Sequence, residues 1–508
     1  MASKGQLGSG LPLPRGYQPW WAKVSDHLGG IYPFIDSSEP DKVSLDIATL
    51  IDARKERGEP VRLDTTGLIV KTALPFILGD RTLLQGIRRA PWMSFPQANG
   101  EWYEASLPPH GMAQPDLNNF VRELRVALLN EVQDYIYGAR TVGILLSGGM
   151  DSRVLAGVVR AVQEVSDNSF DVVGLTWGSE TSRDVVYARR ITDRFGWSWK
   201  HYPITAETLR SNIFYMAKMG AEVSPLHLHA MPQVAATDGL DVVLAGSYGD
   251  SVGRAEFSGR RVTQLKDVLP KQLDRFGVLL HSAVEESHST LQADVAGSQR
   301  YANGTSTLRR REIEQEMHYM RRMLQSCMMC IANKTKFFQL FTDPKVFGLM
   351  WGLDPRIRDN RWYQRLLALL PGNLLDIPWA RTGRRYDQAD GQADNFDSKF
   401  HAYGHWMRLD LRDEIIQRVN SNLIRDLGIF NHLGLDLALR AWGRASTKTT
   451  NSLDELVSWL AALHDCIEHF SLDVQNAGFT SNIRDSLQAL LGGARSTLYV
   501  SARDKVRD

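Results

Sequence analysis

The 508-residue chain has only three cysteines, Cys327, Cys330 and Cys466. So few cannot build a disulfide framework, which excludes the small stapled secreted domains. Net charge is almost absent as well: 59 Lys+Arg against 58 Asp+Glu leave +1. A chain so balanced has no overall field to hold a nucleic-acid backbone or an anionic bilayer, so neither is an expected partner. No apolar run reaches the ~18 residues a membrane span needs, and no secretory signal or internal repeat is seen. These absences predict a cytoplasmic protein. What is present is ordinary for a folded chain, with 43% hydrophobic and 23% charged residues. At roughly 100–200 residues per domain, the length suggests two to four domains.

Residues 1–16 are rich in Gly, Ser and Pro and read as a flexible terminus. Residues 17–115 mix short apolar runs with Gly and Pro, a small α+β region with a helix from Gly67 toward Pro75. Asp116 is a candidate N-cap for a helix carrying Phe120, Leu124, Leu128 and Tyr135 at helical spacing. Apolar strands are then expected at Thr141–Leu146, Asp171–Trp177 and Asp241–Ala245, with helices near Val154–Val165 and Asp184–Phe195. Strands alternating with helices predict an α/β fold with an open, doubly wound parallel sheet. From about Arg309 the pattern is mostly helical, with Leu453, Leu456, Leu460, Leu463, Ile467 and Phe470 on one stripe. The polar segment Gly383 to Ser398 is expected to be a loop, and 471–508 a helical tail.

One stretch carries chemistry. Leu146-Ser147-Gly148-Gly149-Met150-Asp151-Ser152 ends a strand and opens a helix. Glycines let backbone N–H groups approach an oxyanion, serine hydroxyls add donors, and the helix N-terminus adds partial positive charge. A carboxylate inside such a loop repels its ligand unless a metal lies between, so Asp151 implies Mg²⁺. The pattern Ser-Gly-Gly-x-Asp-Ser arises by chance in a chain of this length about once in a thousand at average composition.

That motif resembles the pyrophosphate loop of the PP-loop ATP pyrophosphatases, in the asparagine synthetase-like branch that also holds β-lactam synthetases and lasso-peptide cyclases. Trp177-Gly178 sits where that branch ends its adenine-binding strand, and Arg183 to Arg190 is similar to the segment that follows. Gly246-Ser247-Tyr248-Gly249-Asp250 falls on the family's second acidic motif, and Pro378-Trp379-Ala380-Arg381-Thr382-Gly383 on its basic loop. The resemblance spans 116–470. It implies ATP and Mg²⁺ as cofactors and a reaction in which a substrate carboxylate is adenylated and an amine then forms an amide, releasing AMP and pyrophosphate. It assigns Leu146, Ser147, Gly148, Gly149, Ser152, Arg153, Trp177, Gly178 and Gly246 to nucleotide binding, and Asp151 and Asp250 to the metal. Arg381 and Ser247 become the catalytic candidates, Arg381 as the cation that steadies the adenylate's phosphate. Lys334, Lys336 and Arg384 are rivals for that role.

The chain also departs from the family. The two glutamates of the second motif fall on Ser247 and Ser251, and Arg153 replaces a serine, adding a charge that could meet a phosphate. Glutamine-dependent relatives use an N-terminal cysteine; here Ala2 follows Met1 and the first cysteine is Cys327. Glutaminase activity is therefore not expected, and 17–115 reads as a shortened, non-catalytic remnant of that domain. The amine donor would be ammonia, a substrate's own amine or an amine on a partner protein. Two alternatives are a PP-loop enzyme acting on a nucleobase and a catalytically degenerate ATP-binding partner protein. The partners to be expected are a second copy of the chain, as a homodimer, or a partner protein.

Other signals weigh less. Cys327-Met328-Met329-Cys330 has half the spacing of a zinc site but no second half, and Cys466 near His464 and His469 reads as helix packing. His227, His229, Glu222 and Ser224 fall in a candidate substrate-pocket segment. Arg309-Arg310-Arg311 with Glu312, Glu314 and Glu316 predicts a solvated helix face.

Overall fold

The computed structural model describes residues 20–40, 42–96, 102–111, 113–166, 169–302, 306–386 and 392–507. The expected flexible terminus lies outside the described residues, as do 387–391 of the expected polar loop.

At the centre is a parallel five-stranded sheet: β1 (Thr141–Leu145), β2 (Asp171–Trp177), β3 (Ser198–Tyr202), β4 (Val242–Ala245) and β5 (Lys336–Gln339), in the spatial order β5-β4-β1-β2-β3. Val142 lies beside both Val172 and Val242 in register. The inner strands are continuous apolar runs because helices cover both faces, so no polar alternation is needed. The two edge strands lack such runs, and the sequence reading missed both. Ser198–Tyr202 alternates exposed and half-buried residues over most of its length, as an edge strand can. The chain steps from β1 to β2 to β3 in one direction and returns to β4 and β5 on the other side. The switch point therefore falls between β1 and β4, and the crevice beyond their carboxyl ends is where open α/β sheets bind ligands.

Helix α1 (Leu117–Ile136) begins as its N-cap predicts: Asp116 accepts the Asn118 and Asn119 amides at 3.1 and 3.0 Å. Helices α2 (Met150–Val165) and α3 (Arg183–Phe195) follow β1 and β2. Further helices matter below: α4 (Asn360–Ala368), α5 (Ser452–His469) and the terminal α6 (Ile483–Arg507). The predicted stripe on α5 is buried from Leu453 to Phe470. Among the described residues no helix is long and apolar enough to cross a membrane.

The N-terminal segment forms a three-stranded antiparallel sheet (Val43–Ser44, Phe34–Asp36, Ile87–Arg89) and two helices, Ile47–Glu56 and Thr65–Ala73. Its Leu68 and Ile69 share one buried cluster with Leu456 and Leu460 of α5. Buried charges also tie it down. Glu222 accepts from Arg89 at 3.0 Å and from Arg322 at 2.8 Å, so this expected pocket residue is a structural ion pair. Burial alone would raise the Glu222 carboxyl, but the two guanidiniums outweigh it and hold it below the usual range. Ser224 likewise bonds inward, to Ser458 at 2.8 Å.

The expected solvated face at 309–316 is corrected by the fold. Arg310 is half-exposed and bonds Glu314, but Glu312 is fully buried between Arg358 and His110, both at 2.6 Å. The cause is tertiary: the helix passes into a wide π-helical stretch, Gln315–Gln325, packed on its inner side. All three cysteines are buried and unpaired, with burial pushing each thiol up.

Candidate active site

The loop after β1 is built from its own hydroxyls. Ser147 Oγ lies 3.0 Å from Ser152 Oγ and accepts the Gly149 amide at 3.1 Å; Ser152 donates to the Ser147 carbonyl at 3.0 Å. Gly149 is the N-cap of α2 without a side-chain cap, so the first α2 amides face the loop mouth. The Gly148 amide is engaged from outside the loop, donating to Asp184 Oδ1 at 3.2 Å. Burial raises the Asp184 carboxyl, and the Gly148 amide offsets this only in part. Leu146 is buried and contributes backbone alone, its amide bonded to Leu175 at 2.9 Å.

The loop after β4 meets the first one at the switch point. A side chain on Gly249 would place its Cβ 2.5 Å from the Asp151 carboxyl carbon, and one on Gly246 would lie 2.7 Å from the Asp151 backbone. Only glycine lets the two loops approach this closely. Asp151 and Asp250 thereby flank one crevice mouth. Two carboxylates are the donor set magnesium takes when phosphate oxygens and water complete its shell, and in that sense the residues fit the ion.

Each carboxylate already has a protein partner. Asp151 accepts a hydrogen bond from the Tyr363 hydroxyl on α4. Burial pushes the Asp151 carboxyl up, against the pull of Arg254 and of that hydroxyl. Asp250, about half exposed, is ion-paired with the buried Arg254. The Arg254 guanidinium lies 5.3 Å from the Tyr363 ring centre and 5.8 Å from that of Trp379, so aromatic faces hold it in the crevice. Tyr363 and Arg254 carry no motif signal, and the sequence reading did not find them.

Two expected roles change. Arg153 does not face a phosphate. It is fully buried and donates to four carbonyls: Leu374 at 3.0 Å, Ile377 at 2.7 Å, Gly148 at 3.1 Å and Pro378 at 2.9 Å. It pins the loop to the 374–378 turn, and burial lowers its pKa to about 9. Lys334 and Lys336 are displaced by topology. Lys336 pairs with Val242 at the amino end of the parallel sheet, opposite the crevice.

Arg381 remains at the mouth. It is exposed, lies 5.6 Å from the Trp379 ring centre and bonds Glu256 at 3.0 Å. Its loop docks on the first one, the Ala380 amide donating to the Gly148 carbonyl at 3.1 Å. Glu256 was not foreseen; it places a largely shielded carboxylate beside the site where the family's glutamates are missing. Ser247 is half-buried in the second loop. Ser251 is buried, donates to the Tyr248 carbonyl at 3.3 Å and has the Glu316 carboxyl as a neighbour. Burial pushes the Glu316 carboxyl well up, and the Ser251 hydroxyl beside it offsets this only in part.

On the β2 side, Trp177 stacks on His229 with ring centres 6.3 Å apart. Gly178 is roofed by the Phe400 segment, whose carbonyl accepts the Ser179 amide at 2.9 Å. His229 bonds the Tyr403 hydroxyl at 2.9 Å, and burial lowers it to about 3, so it is neutral. His227 and His229 line a cavity of about 420 Å³ closed by residues 398–404. Among the described residues, the one cluster with metal-ligand spacing is His464, Asp465 and Glu468 on α5, where Asp465 is taken by Arg418 at 2.7 Å.

Comparison with known proteins bears on this crevice. Residues 123–364 match the family model of asparagine synthase. A Methanocaldococcus jannaschii protein, whose assignment as a glutamine-hydrolysing asparagine synthetase is itself provisional, is 30% identical over 132 residues. That match covers 25% of this chain and 23% of the relative, less than a quarter of its length. Two solved structures are similar at 16% identity. A U34-tRNA thiolase from Methanococcus maripaludis, with its 4Fe–4S cluster, is covered over 78% of its chain and 42% of this one, with TM-score 0.22. An NMN synthetase from Francisella tularensis is covered over 94% of its chain and 43% of this one, with TM-score 0.20. Likenesses that low say nothing of activity.

Proposed function

The chain is asparagine synthetase-like over residues 123–364, and from that premise we propose that it is an ATP-dependent amide ligase forming AMP and pyrophosphate. The single observation that carries this is the packing of the Gly249–Asp250 turn on Asp151, with Arg254 acting on both carboxylates, beside the Ser147–Ser152 loop at the switch point of the sheet. A carboxylate pair beside a glycine and serine anion cradle serves polyphosphate chemistry.

In this reading Asp151 and Asp250 hold a magnesium ion, which supplies positive charge to the phosphate oxygens when bound. The Ser147 and Ser152 hydroxyls and the first amides of α2 receive the departing pyrophosphate, whose charge grows as the α-phosphate is attacked. Their present internal bonds are exchanged for bonds to the ligand, including the Gly148 amide released by Asp184. Arg381 neutralises the adenylate's phosphate from the crevice rim. Trp177 and Gly178 take the adenine at the end of β2. Glu256, beside Arg381, is the carboxylate placed to accept a proton from the attacking amine, a task Ser247 and Ser251 cannot perform.

The N-terminal segment is, in this proposal, a glutaminase-like remnant without catalytic function. Its strands and helices from Phe34 to Arg89 contain no cysteine. A second reading, an ATP-binding partner protein without turnover, is favoured by the pairing of Asp250 with Arg254.

The deciding experiment resolves AMP from ADP after incubation with Mg-ATP alone, with aspartate and ammonium, or with a small-molecule extract of the source cells. Extract-dependent AMP that disappears in Asp151→Ala supports the ligase. ADP as the product overturns the adenylation chemistry. Tight ATP binding without any AMP moves the weight to the partner-protein reading.

A further inference from the structure

A second cavity, about 530 Å³, lies between the N-terminal segment and the C-terminal helices. The N-terminal segment lines it with residues 71–76, the 257–278 segment forms a second wall, and Ser452, Glu455 and Leu456 of α5 form a third. Its volume lies within the range of small-molecule sites. The hairpin Glu256–Phe257 with Arg260–Arg261 joins it to the active site. Glu256 bonds Arg381 of the crevice, while Phe257, Ser258 and Arg260 line the cavity.

The charges in this cavity do not balance locally. Asp267 is taken by Arg310 at 3.0 Å, and Asp274 accepts the Val278 and Leu279 amides at 3.1 and 2.9 Å. Among the described residues the ion pair that Glu455 makes is with His227, at 3.9 Å. The cations Lys71, Arg260, Lys266 and Arg275 also line the space, and Arg275 rests on the Phe276 and Tyr499 rings. Lys71 is the unusual one. It is 3% exposed on the helix Thr65–Ala73, and its ammonium lies 4.8 Å from the Trp459 ring centre. Among the described residues it makes no hydrogen bond and no ion pair. A buried ammonium without a hydrogen-bonding partner is held at substantial cost. Burial lowers its pKa to about 8, and Glu455 only partly offsets this.

We propose that this cavity binds an organic anion, a carboxylate on an apolar body, with Lys71 as its counter-ion. The body packs on Pro75, Phe76, Phe257 and Phe276, and the carboxylate supplies the hydrogen bonds that Lys71 lacks. The inference deepens the ligase reading and rests on it for the fate of the bound acid. Binding is measured without nucleotide, so the two can fail separately.

The test is a ligand-observed NMR titration of the full chain at pH 7 with 4-phenylbutyrate, 4-phenylbutanol and 4-phenylbutylamine. The expected result is that only the carboxylate binds well, at least tenfold more tightly than the alcohol, and that Lys71→Met removes this preference while Lys71→Arg retains it. A measurement on the unsubstituted protein guards against misfolded variants: 4-phenylbutyrate should slow acetylation of Lys71, read by mass spectrometry. Equal binding of acid and alcohol, no binding of any probe, or unprotected Lys71 would each overturn the proposal.

Discussion

The carboxylate of Asp151 accepts the hydroxyl of Tyr363, a residue 212 positions further along the chain. The bond joins the first turn of α2 to helix α4 and leaves the carboxylate facing Gly249 of the opposite loop. Asp151 is thus fixed before any ligand arrives. Such prior orientation is what a charge-stabilising site requires.

Asp151→Asn should therefore lose AMP formation by about a hundredfold or more while leaving stability within about 1 kcal/mol, because burial already disfavours the charged form. Product analysis and urea unfolding of the same preparation check both parts. A variant that unfolds early would make Asp151 structural.

Arg254 occupies Asp250, the carboxylate that the proposed magnesium site would need. Removing the guanidinium as Arg254→Met should tighten Mn²⁺ binding without nucleotide by about tenfold, the size of one lost charge-assisted contact. Electron paramagnetic resonance of free Mn²⁺ measures this directly. Unchanged affinity would mean that the pair opens freely.

Arg153→Lys keeps the charge but loses the fork that reaches four carbonyls. We expect a loss of about 3 kcal/mol in unfolding free energy, with weaker ATP binding because the Gly148 carbonyl is no longer held. Denaturant unfolding and nucleotide titration report the two effects. A phosphate-binding role alone would weaken ATP binding and spare stability.

Lys71 predicts a pH dependence. Folding lowers its pKa from 10.5 to about 8, so between these values the unfolded chain binds more protons than the folded one. Stability then rises with pH across that window, by about 3 kcal/mol in all, and below pH 8 the full penalty is present. The groups facing the ammonium are Glu455 and Cys327, which act to raise it. Lys71→Met should be more stable than the unsubstituted chain at pH 7 and lack its additional gain toward pH 10. Parallel slopes for both proteins would sink the argument.

The chain of apolar runs, Thr141–Leu145, Asp171–Trp177 and Val242–Ala245, determined the parallel sheet by itself, since only strands covered on both faces have that composition. Local spacing likewise placed Ser147 to Ser152 at a strand-to-helix turn, because the glycines and the N-terminus of α2 act within a few residues. The edge strands at Ser198 and Lys336 were not legible: the first is half-covered, the second is mostly buried but only four residues long with two of them polar, and neither carries a continuous apolar signal. Charges were legible in kind but not in employment. Arg153 lies two residues from Asp151, yet burial turns it toward carbonyls more than two hundred positions away. Arg254, Glu256, Tyr363 and Lys71 have no motif around them. What each one does depends on which neighbour the tertiary fold brings within a few ångströms, and on how much water that packing leaves.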